Sequence, residues 1–206
     1  TSGCPTGWQQ LLLNMTQQNP PAVRGFVIER QDGQAQLPGS LHTNRKLSQW
    51  LSLQTPGHIE ILTGKAELGQ GILTALRLLA AEELDVDLAQ VNLISASTLR
   101  GPDEGVTSGS LSVQDSGGAI RHACAHLRGL ALQRAASQSG VPSDAISVHA
   151  GVLHAANGRA LGNYWQLVQN SDLNIEYDGQ YLPKQPHQRR LLGKSDNARV
   201  DLQDKV

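Results

Sequence analysis

The sequence predicts an α+β fold that combines a mixed sheet with a βαβαβ core and one long helix. Two observations favour this class. First, apolar segments of strand length and of helix length alternate through the middle of the chain. Second, a Pro-Gly turn within 47–64 separates two β-like runs and predicts an antiparallel hairpin ahead of that alternation. An antiparallel hairpin added to parallel βαβ units gives a mixed sheet.

The central elements are expected in the order strand 59–64, helix 71–84, strand 91–97, helix at about 109–139, and a further strand. The first helix is apolar on nearly every side, with Arg77 as a polar interruption, which predicts a helix buried on most faces. In the second helix, apolar residues recur at helical spacing: Ile120, Ala123, Cys124, Leu127, Leu130 and Ala131. Gly140 is expected to end it. Residues 146–161 predict a hairpin with an Asn-Gly turn, and 163–169 a short helix.

Three regions differ in composition along the chain. Residues 1–40 contain prolines and glycines with little periodicity, and we expect an extended arm with one helical turn at 8–15. Residues 41–170 carry the strand and helix patterns and are expected to form the folded domain. Residues 171–206 are polar, contain prolines and predict an irregular linker that leads to further domains outside this sequence.

The composition excludes several classes of protein. A net charge of -1 and an aromatic content of 3% argue against a nucleic-acid-binding surface. No segment approaches the roughly 20 apolar residues that span a bilayer. Cys4 and Cys124 cannot form a metal site or a disulfide framework by themselves. We expect Cys124 to be a buried, inert thiol rather than a redox-active one.

Two loops are the candidate functional site. If strands 59–64 and 91–97 are parallel, the loops "GKAELGQG" (64–71) and "DEGVTSGS" (103–110) leave the same edge of the sheet, where open α/β sheets bind ligands. Each loop also precedes a helix, whose first amides are expected to be unpaired and whose dipole is positive there. Two such helix starts predict a site for a phosphate or another anionic group.

The residue types in the loops suit that role. Gly69 and Gly71 allow backbone amides to approach a ligand, and Gln70 can satisfy the polar edge of a heteroaromatic ring. The second loop supplies a bend at Gly109 and four hydroxyl groups, those of Thr107, Ser108, Ser110 and Ser112. Neither loop matches a nucleotide-binding fingerprint. The alternative is that the glycines and serines only cap helices.

Taken together, the two loop segments resemble a known family. "GKAELGQGILTALRLLAAEELDVDLAQVNLISA" followed by "PDEGVTSGSLSVQDSGGAIRHACAHLR" is similar to the molybdenum-binding large subunit of the xanthine dehydrogenase/aldehyde oxidase family. The resemblance points to the branch that contains isoquinoline 1-oxidoreductase, nicotinate dehydrogenase and membrane-linked aldehyde dehydrogenase. It covers residues 38–206, and residues 1–37 match no family pattern.

The resemblance implies a molybdopterin-binding domain and a set of site residues. It implies a cofactor of molybdopterin cytosine dinucleotide with molybdenum, and no protein ligand to the metal. Gly69, Gln70 and Gly71 would contact the pterin and its phosphates. The second loop would contact the pyrophosphate side through Thr107, Ser108, Gly109, Ser110, Leu111 and Ser112.

The same resemblance implies an oxidoreductase that hydroxylates an aldehyde or N-heterocyclic substrate with water as the oxygen source. The family's base, a glutamate in a G-x-G-E motif, does not occur in this sequence. We therefore expect no catalytic residue here, and the rest of the large subunit to lie on a longer or a separate chain. Expected partners are a small subunit with [2Fe-2S] clusters for electron transfer and a c-type cytochrome. The expected location is the bacterial periplasm or the periplasmic face of the inner membrane.

Several other polar residues have more than one interpretation. His122 and His126 are four apart on the long helix, and we expect a solvated face rather than a metal site. Glu67 would either polarise the cofactor loop or serve only as a carboxylate at a helix start. Asp103 and Glu104 form a candidate acid/base pair whose polar surroundings argue against raised pKa values. The alternative for the whole chain is a non-catalytic α/β module that binds another anion or a partner protein.

Overall fold

The structure, a computed structural model, describes residues 37–193. Most of the predicted arm, with its helical turn at 8–15 and Cys4, therefore lies outside the described residues, as do residues 194–206 of the predicted linker. Three strands form a mixed sheet in the order β1 (Leu51–Ser52), β2 (Ile59–Thr63) and β3 (Val91–Ser95). β1 pairs antiparallel with β2, and β2 pairs parallel with β3. The predicted hairpin and the predicted parallel pair are both confirmed.

Helix α1 (Ile72–Leu84) packs on β3 of this sheet and on a second helix, α2 (Gly118–Ser139). Small side chains on α2 let the two helices approach closely. Five of these residues are 0% exposed: Ala119, Ala123, Cys124, Ala131 and Ala135. As predicted, α1 is largely buried, and α2 ends at Gly140, whose φ of +71° belongs to the left-handed region that glycine adopts without strain.

The second sheet is antiparallel and consists of β4 (Ile146–His149), β5 (Val152–Ala155) and β6 (Ala160–Asn163), followed by the short helix α3 (Tyr164–Leu167). The Asn-Gly turn at 157–158 joins β5 to β6, as the sequence predicts. The predicted βαβαβ core places the strand after the long helix in the first sheet. In the structure that strand is β4, and it belongs to the second sheet instead. Ala150 and Gly151 form a two-residue turn with positive φ, which pairs β4 with its sequence neighbour β5.

Residues 170–193 have the irregular backbone that the sequence predicts, with short 3₁₀ turns at Asn170–Leu173 and Pro186–Gln188. This segment is nevertheless packed against the domain. Tyr177 is only 2% exposed, its N–H donates to the carbonyl of Arg45 at 2.8 Å, and the N–H of Leu47 donates to the carbonyl of Ile175 at 2.9 Å. The described part of the predicted linker is therefore fixed to the body of the domain. Among residues 37–193, no helix is both long and apolar enough to cross a membrane.

Two glutamates near the end of α1 are buried, although the sequence gives no sign of it. Glu82 is 1% exposed and Glu83 is 0% exposed. The Glu82 carboxylate accepts hydrogen bonds from three consecutive backbone N–H groups, those of Arg190, Leu191 and Leu192, at 2.6 to 3.0 Å. Burial raises the pKa of Glu82, but these donors and the Lys184 charge outweigh it and hold the pKa below its usual value. Glu82 thus anchors the end of the described chain.

Glu83 holds the neighbouring part of the chain. Its Oε1 pairs with Nε of Arg121 at 2.9 Å, and its Oε2 lies 3.5 Å from Arg128. The same Oε2 also accepts from the backbone N–H of Lys184 at 2.9 Å. One buried carboxylate therefore joins α1, α2 and the C-terminal segment.

Tyr181 lies directly over Gly129 of α2, and this contact yields a testable prediction. A Cβ at position 129 would be 2.2 Å from the Tyr181 ring, whose hydroxyl donates to Gln133 Oε1 at 2.9 Å. We expect Gly129→Ala to expel the ring and to lower the free energy of unfolding by about 1–3 kcal/mol, the usual cost of overpacking. Urea denaturation measures this change.

The control for this prediction is a double-mutant cycle with Tyr181→Ala. Removing the ring removes the clash, so Gly129→Ala should cost little or nothing in the Tyr181→Ala background. Equal costs in both backgrounds would contradict the packing of Tyr181 on Gly129.

Candidate functional site

A cleft of about 380 Å³ opens where the first loop (residues 64–71) meets the second loop, which the structure extends by two residues to 103–112. The two loops follow the carboxyl ends of β2 and β3, and the parallel pairing of these strands brings them to the same edge of the sheet. The structure therefore brings together the two segments that the sequence predicts to converge. The residues that line the cleft are Leu68, Gln70, Gly71, Ile72, Ala75, Thr107, Ser108, Gly109, Ser110, Ser112 and Val113.

Seven of the nine predicted site residues line this cleft, and two do not. Gly69 is at the tip of the first loop, where an added Cβ would meet nothing within 4 Å. Leu111 is 41% exposed and its side chain lies against Gly109. Four further residues that line the cleft were not predicted from the sequence, and all are apolar: Leu68, Ile72, Ala75 and Val113. Ile72 and Ala75 are three apart on α1, a spacing that places both on one face of the helix.

Glu104 connects the second loop to the end of β2. Its Oε2 accepts from the N–H of Gly64 at 2.8 Å and from the hydroxyl of Thr63 at 3.0 Å. Asp103 is engaged elsewhere, since its N–H and C=O both bond to the side chain of Asn44 and its Oδ1 accepts from Gly105. The two carboxylates thus have separate partners, and the contacts of Glu104 are those of a loop-positioning residue rather than of one half of an acid/base pair.

Two further contacts hold the loops together. The buried Lys65 donates from Nζ to the carbonyl of Glu104 at 2.9 Å. The N–H of Ala66 donates to the hydroxyl oxygen of Thr107 at 2.8 Å. Because Thr107 accepts in this bond, its own hydroxyl proton remains available to a ligand. These two hydrogen bonds join the first loop to the second, and they therefore help to set the distance between the two walls of the cleft.

Glu67 caps α1. Its Oε1 accepts from the N–H groups of Gly69 at 2.8 Å and Gly71 at 2.9 Å, and its Oε2 accepts from Leu73 at 3.3 Å. The expectation that the first amides of this helix are unpaired is therefore wrong for Gly71 and Leu73. The side chain supplies the acceptor that the helix start lacks, as capping carboxylates do. Of the two interpretations of Glu67, its contacts favour the carboxylate at a helix start.

Gln70 is exposed at the mouth of the cleft and folds partly onto its own loop. Its Oε1 accepts from the N–H of Leu68 at 2.6 Å, and its Nε2 donates to the carbonyl of Ala66 at 3.0 Å. The second proton of Nε2 has no partner among residues 37–193. Gln70 therefore keeps one donor for a ligand in a side chain whose orientation is already set.

The second loop enters α2 through a π-helical turn at Val113–Gly117. The predicted helix start near residue 109 is therefore wrong, since the regular α-helix begins only at Gly118. Gly109 and Ser110 have φ values of +65° and +57°, which a right-handed helix excludes. The wider turn also lets the hydroxyl of Ser116 bond to that of Thr63 at 2.7 Å.

The predicted solvated face of α2 is wrong for its two histidines. His126 is 2% exposed, and the rings of Tyr177 and Tyr181 contact it edge-on. His122 bonds to the Tyr177 hydroxyl at 2.7 Å, and burial together with the Arg121 charge lowers its pKa to about 4. Both imidazoles pack against tyrosines of the C-terminal segment. The helical pattern of α2 does not reveal these contacts, because the tyrosines lie outside the helix. In the described part of the chain, no group of three His, Cys, Asp or Glu side chains is arranged for a metal ion.

The prediction for Cys124 is confirmed. The thiol is free and 0% exposed, and burial raises its pKa well above the usual value, with the Glu83 charge acting in the same direction. A thiol that stays protonated and inaccessible is chemically inert.

Comparison with known proteins identifies the family. Residues 26–197 match the model of the molybdopterin cofactor-binding domain. The chain is 34% identical over 164 residues to a nicotinate dehydrogenase subunit of Pseudomonas putida, an alignment that covers 79% of this chain and 14% of that protein. It is 30% identical over 130 residues to the beta subunit of isoquinoline 1-oxidoreductase of Brevundimonas diminuta, covering 58% of this chain and 16% of that protein.

A solved structure shows the same fold. The Cu,Mo-CO dehydrogenase matches with a TM-score of 0.50 and 20% identity, over 62% of this chain and 17% of that one. The chain therefore spans about one sixth of the relatives that it matches. Both cleft loops, 64–71 and 103–112, lie inside the segment that the family model covers. The chain belongs to the family of molybdopterin cofactor-binding domains, and its fold is the α+β fold predicted from the sequence.

Proposed function

We propose that the cleft between the two loops forms one wall of the binding site for a molybdopterin cofactor in a molybdenum hydroxylase. The observation that carries this proposal is the convergence of the first and second loops over one cavity. The family assignment supports the identity of the ligand, since the domain is named for this cofactor. The full enzyme would comprise further polypeptide, because the relatives are several times longer.

The residues of the cleft fit such a ligand. A volume of about 380 Å³ lies within the range of small-molecule sites and suits part of a large cofactor. Gly71 lines the wall beside Gln70, and Gly69, which lies outside the lining, leaves open space next to the first loop. The backbone N–H groups of Gly109 and Ser110 have no acceptor among the described residues. These groups are donors suited to a phosphate.

Each predicted site residue then has a role in binding. Gln70 would donate from Nε2 to a polar edge of the ligand. The hydroxyls of Thr107, Ser108, Ser110 and Ser112 would orient it, with Ser112 only 8% exposed at the base of the cleft. Leu111, packed against Gly109, would keep water from the outer side of the second loop.

The bound cofactor would supply the oxidation of an aldehyde or N-heterocyclic carbon with water as the oxygen source. The contribution of this chain is to bind and orient, because the described cleft contains no free carboxylate that could act as a base. The names of two relatives, nicotinate dehydrogenase and isoquinoline 1-oxidoreductase, support an N-heterocyclic substrate. We accordingly place the catalytic base on polypeptide outside this sequence.

The same proposal includes the form of the cofactor, the electron-transfer partners, the domain boundaries and the location of the enzyme. The cofactor would be the cytosine dinucleotide form, and electrons would leave through [2Fe-2S] clusters of a small subunit toward a c-type cytochrome. The names of the relatives, each of them one subunit of an enzyme, support a multi-subunit assembly. Residues 41–170 would form the cofactor-binding part, 1–40 an arm and 171–206 the connection to further domains. The enzyme would act in the periplasm or at the periplasmic face of the inner membrane.

The test is Gly109→Val in the intact enzyme. Valine would be strained at a φ of +65°, and its Cβ would contact the Leu111 side chain at 3.6 Å, so the second loop would have to change shape beside the cleft. We expect the molybdenum content, and the fluorescence of the oxidised pterin, to fall at least about tenfold. Gln70→Ala should cause a smaller loss. Nucleotide released by hydrolysis of the cofactor should be cytidine monophosphate.

The matched control is Gly158→Val. Gly158 has a similar φ of +81° with open space around it, but it lies in the exposed turn between β5 and β6. Normal molybdenum in the Gly158 variant with loss in the Gly109 variant supports the site. Normal molybdenum in both variants, or an enzyme without molybdenum, overturns it.

A further inference from the structure

We propose that Glu67 is a positioning residue that keeps the negative charge of the ligand off the start of α1 and directs it to the second loop. The inference concerns the orientation of an anionic ligand in the cleft. It rests on the proposed function only for the identity of that ligand. It also revises the expectation that both loops share the phosphates.

The start of α1 is already occupied by an anion that belongs to the protein. A helix start binds phosphate when its first N–H groups point at open space. Here the N–H groups of Gly69, Gly71 and Leu73 all donate to the Glu67 carboxylate. A phosphate placed there would have to displace the carboxylate or sit beside a like charge, and both alternatives are unfavourable. The first loop therefore offers neutral groups to the ligand, mainly the side-chain amide of Gln70.

The second loop has the opposite character. Residues 107–112 contain no acidic side chain. Ser108, Gly109 and Ser110 are exposed, and no residue between 37 and 193 accepts from the N–H groups of Gly109 and Ser110. Gly109 and Ser110 lie in a turn that the N–H of Leu111 closes on the carbonyl of Ser108 at 3.4 Å, and successive N–H groups in a turn can form an anion-binding concavity. The charge of the ligand consequently belongs at this end of the cleft.

The cap also fixes the first loop before the ligand arrives. Gly69 and Gly71 have φ values of +101° and +80°, and both donate to the same oxygen of Glu67. The residue between them is Gln70, whose side chain is held against Ala66 and Leu68. Loss of the carboxylate would release both glycines and, with them, the orientation of Gln70. Glu67 therefore acts through its neighbours and not by contact with the ligand.

The experiment maps where an anion binds. The full-length enzyme is prepared without cofactor and titrated with inorganic pyrophosphate, and hydrogen exchange is measured at residues 69–73 and 109–110. In the native protein we expect pyrophosphate to slow exchange at 109–110 and to leave 69–73 unchanged. In Glu67→Gln, which removes the charge but keeps the size, we expect protection to extend to 69–73. Without pyrophosphate, Glu67→Ala should speed exchange at 69–73 roughly tenfold, because the cap is lost.

The control is Glu176→Gln, which removes a carboxylate whose side chain is 61% exposed and pairs with Arg45. It should leave the exchange pattern unchanged. Protection of 69–73 in the native protein, or no pyrophosphate binding at 109–110, would overturn the inference, and these two readings stand even if Glu67→Ala does not fold. The mapping needs no molybdenum, so an enzyme that lacks molybdenum would remove the proposed function without deciding the role of Glu67.

Discussion

Glu83→Ala is expected to lower the free energy of unfolding by about 3–5 kcal/mol, the usual cost of removing one partner of a buried ion pair. The carboxylate is 0% exposed, accepts from Nε of Arg121 and from the backbone N–H of Lys184, and forms an ion pair with Arg128 at 3.5 Å. Alanine keeps the helix intact but leaves two guanidinium groups without their anion. The midpoint of urea unfolding, at an unchanged dependence on urea, measures the effect.

Glu176→Ala is the control for this prediction. It also removes a carboxylate paired with an arginine, but both side chains of that pair are largely exposed, at 61% and 42%. An exposed pair contributes about 0–1 kcal/mol, so this variant should unfold close to the native midpoint. Similar midpoints for the two variants would mean that the cluster around Glu83 does not hold the three segments together.

Gly64→Ala is expected to disrupt the cleft itself. A Cβ at this position would be 2.7 Å from the carbonyl oxygen of Pro102 and 3.0 Å from Cβ of Glu104, so the two loops must separate. The separation would break the bond from the Gly64 N–H to Glu104. We expect a loss of stability of about 1–3 kcal/mol. We also expect molybdenum in the intact enzyme to fall at least about tenfold.

Gly118→Ala is the matched control for Gly64→Ala. Its Cβ would meet only Gly39, at the ordinary distance of 3.8 Å, and alanine favours the helix at that position. The variant should be as stable as the native protein or slightly more so, with normal molybdenum content. If Gly64→Ala also kept both properties, the contact between the loops would not determine the shape of the cleft.

The position of the site was predictable because it depends on local patterns. The alternation of apolar segments predicts parallel β2 and β3, and the parallel pair determines that the segments containing Gln70 and Ser110 emerge at one edge. The end of α2 followed from a local signal as well, since Gly140 was expected to stop the helix and has a left-handed φ. These inferences use only neighbouring residues, and they are confirmed.

Three features that the sequence did not reveal depend on distant partners. Glu82 is buried because the backbone N–H groups of residues 190–192, more than 100 positions away, surround it. His122 looked solvated because its partner Tyr177 lies in a segment without periodicity. The π-helical turn arises where Ser116 reaches Thr63. For Glu82 and His122 the contacting segment has no regular pattern of its own, whereas Thr63 ends the predicted strand β2 and contacts a turn that the helical pattern does not predict.

The anchoring of the C-terminal segment at Glu82 has a consequence for sequence variation. The carboxylate is bound by main-chain N–H groups, which every residue except proline possesses. Substitutions at 190–192 other than to proline therefore keep the N–H donors, whereas replacement of Glu82 removes the acceptor that all three of them share. Relatives that keep this architecture should accordingly conserve an acidic residue at the position of Glu82 and vary more at the positions of 190–192.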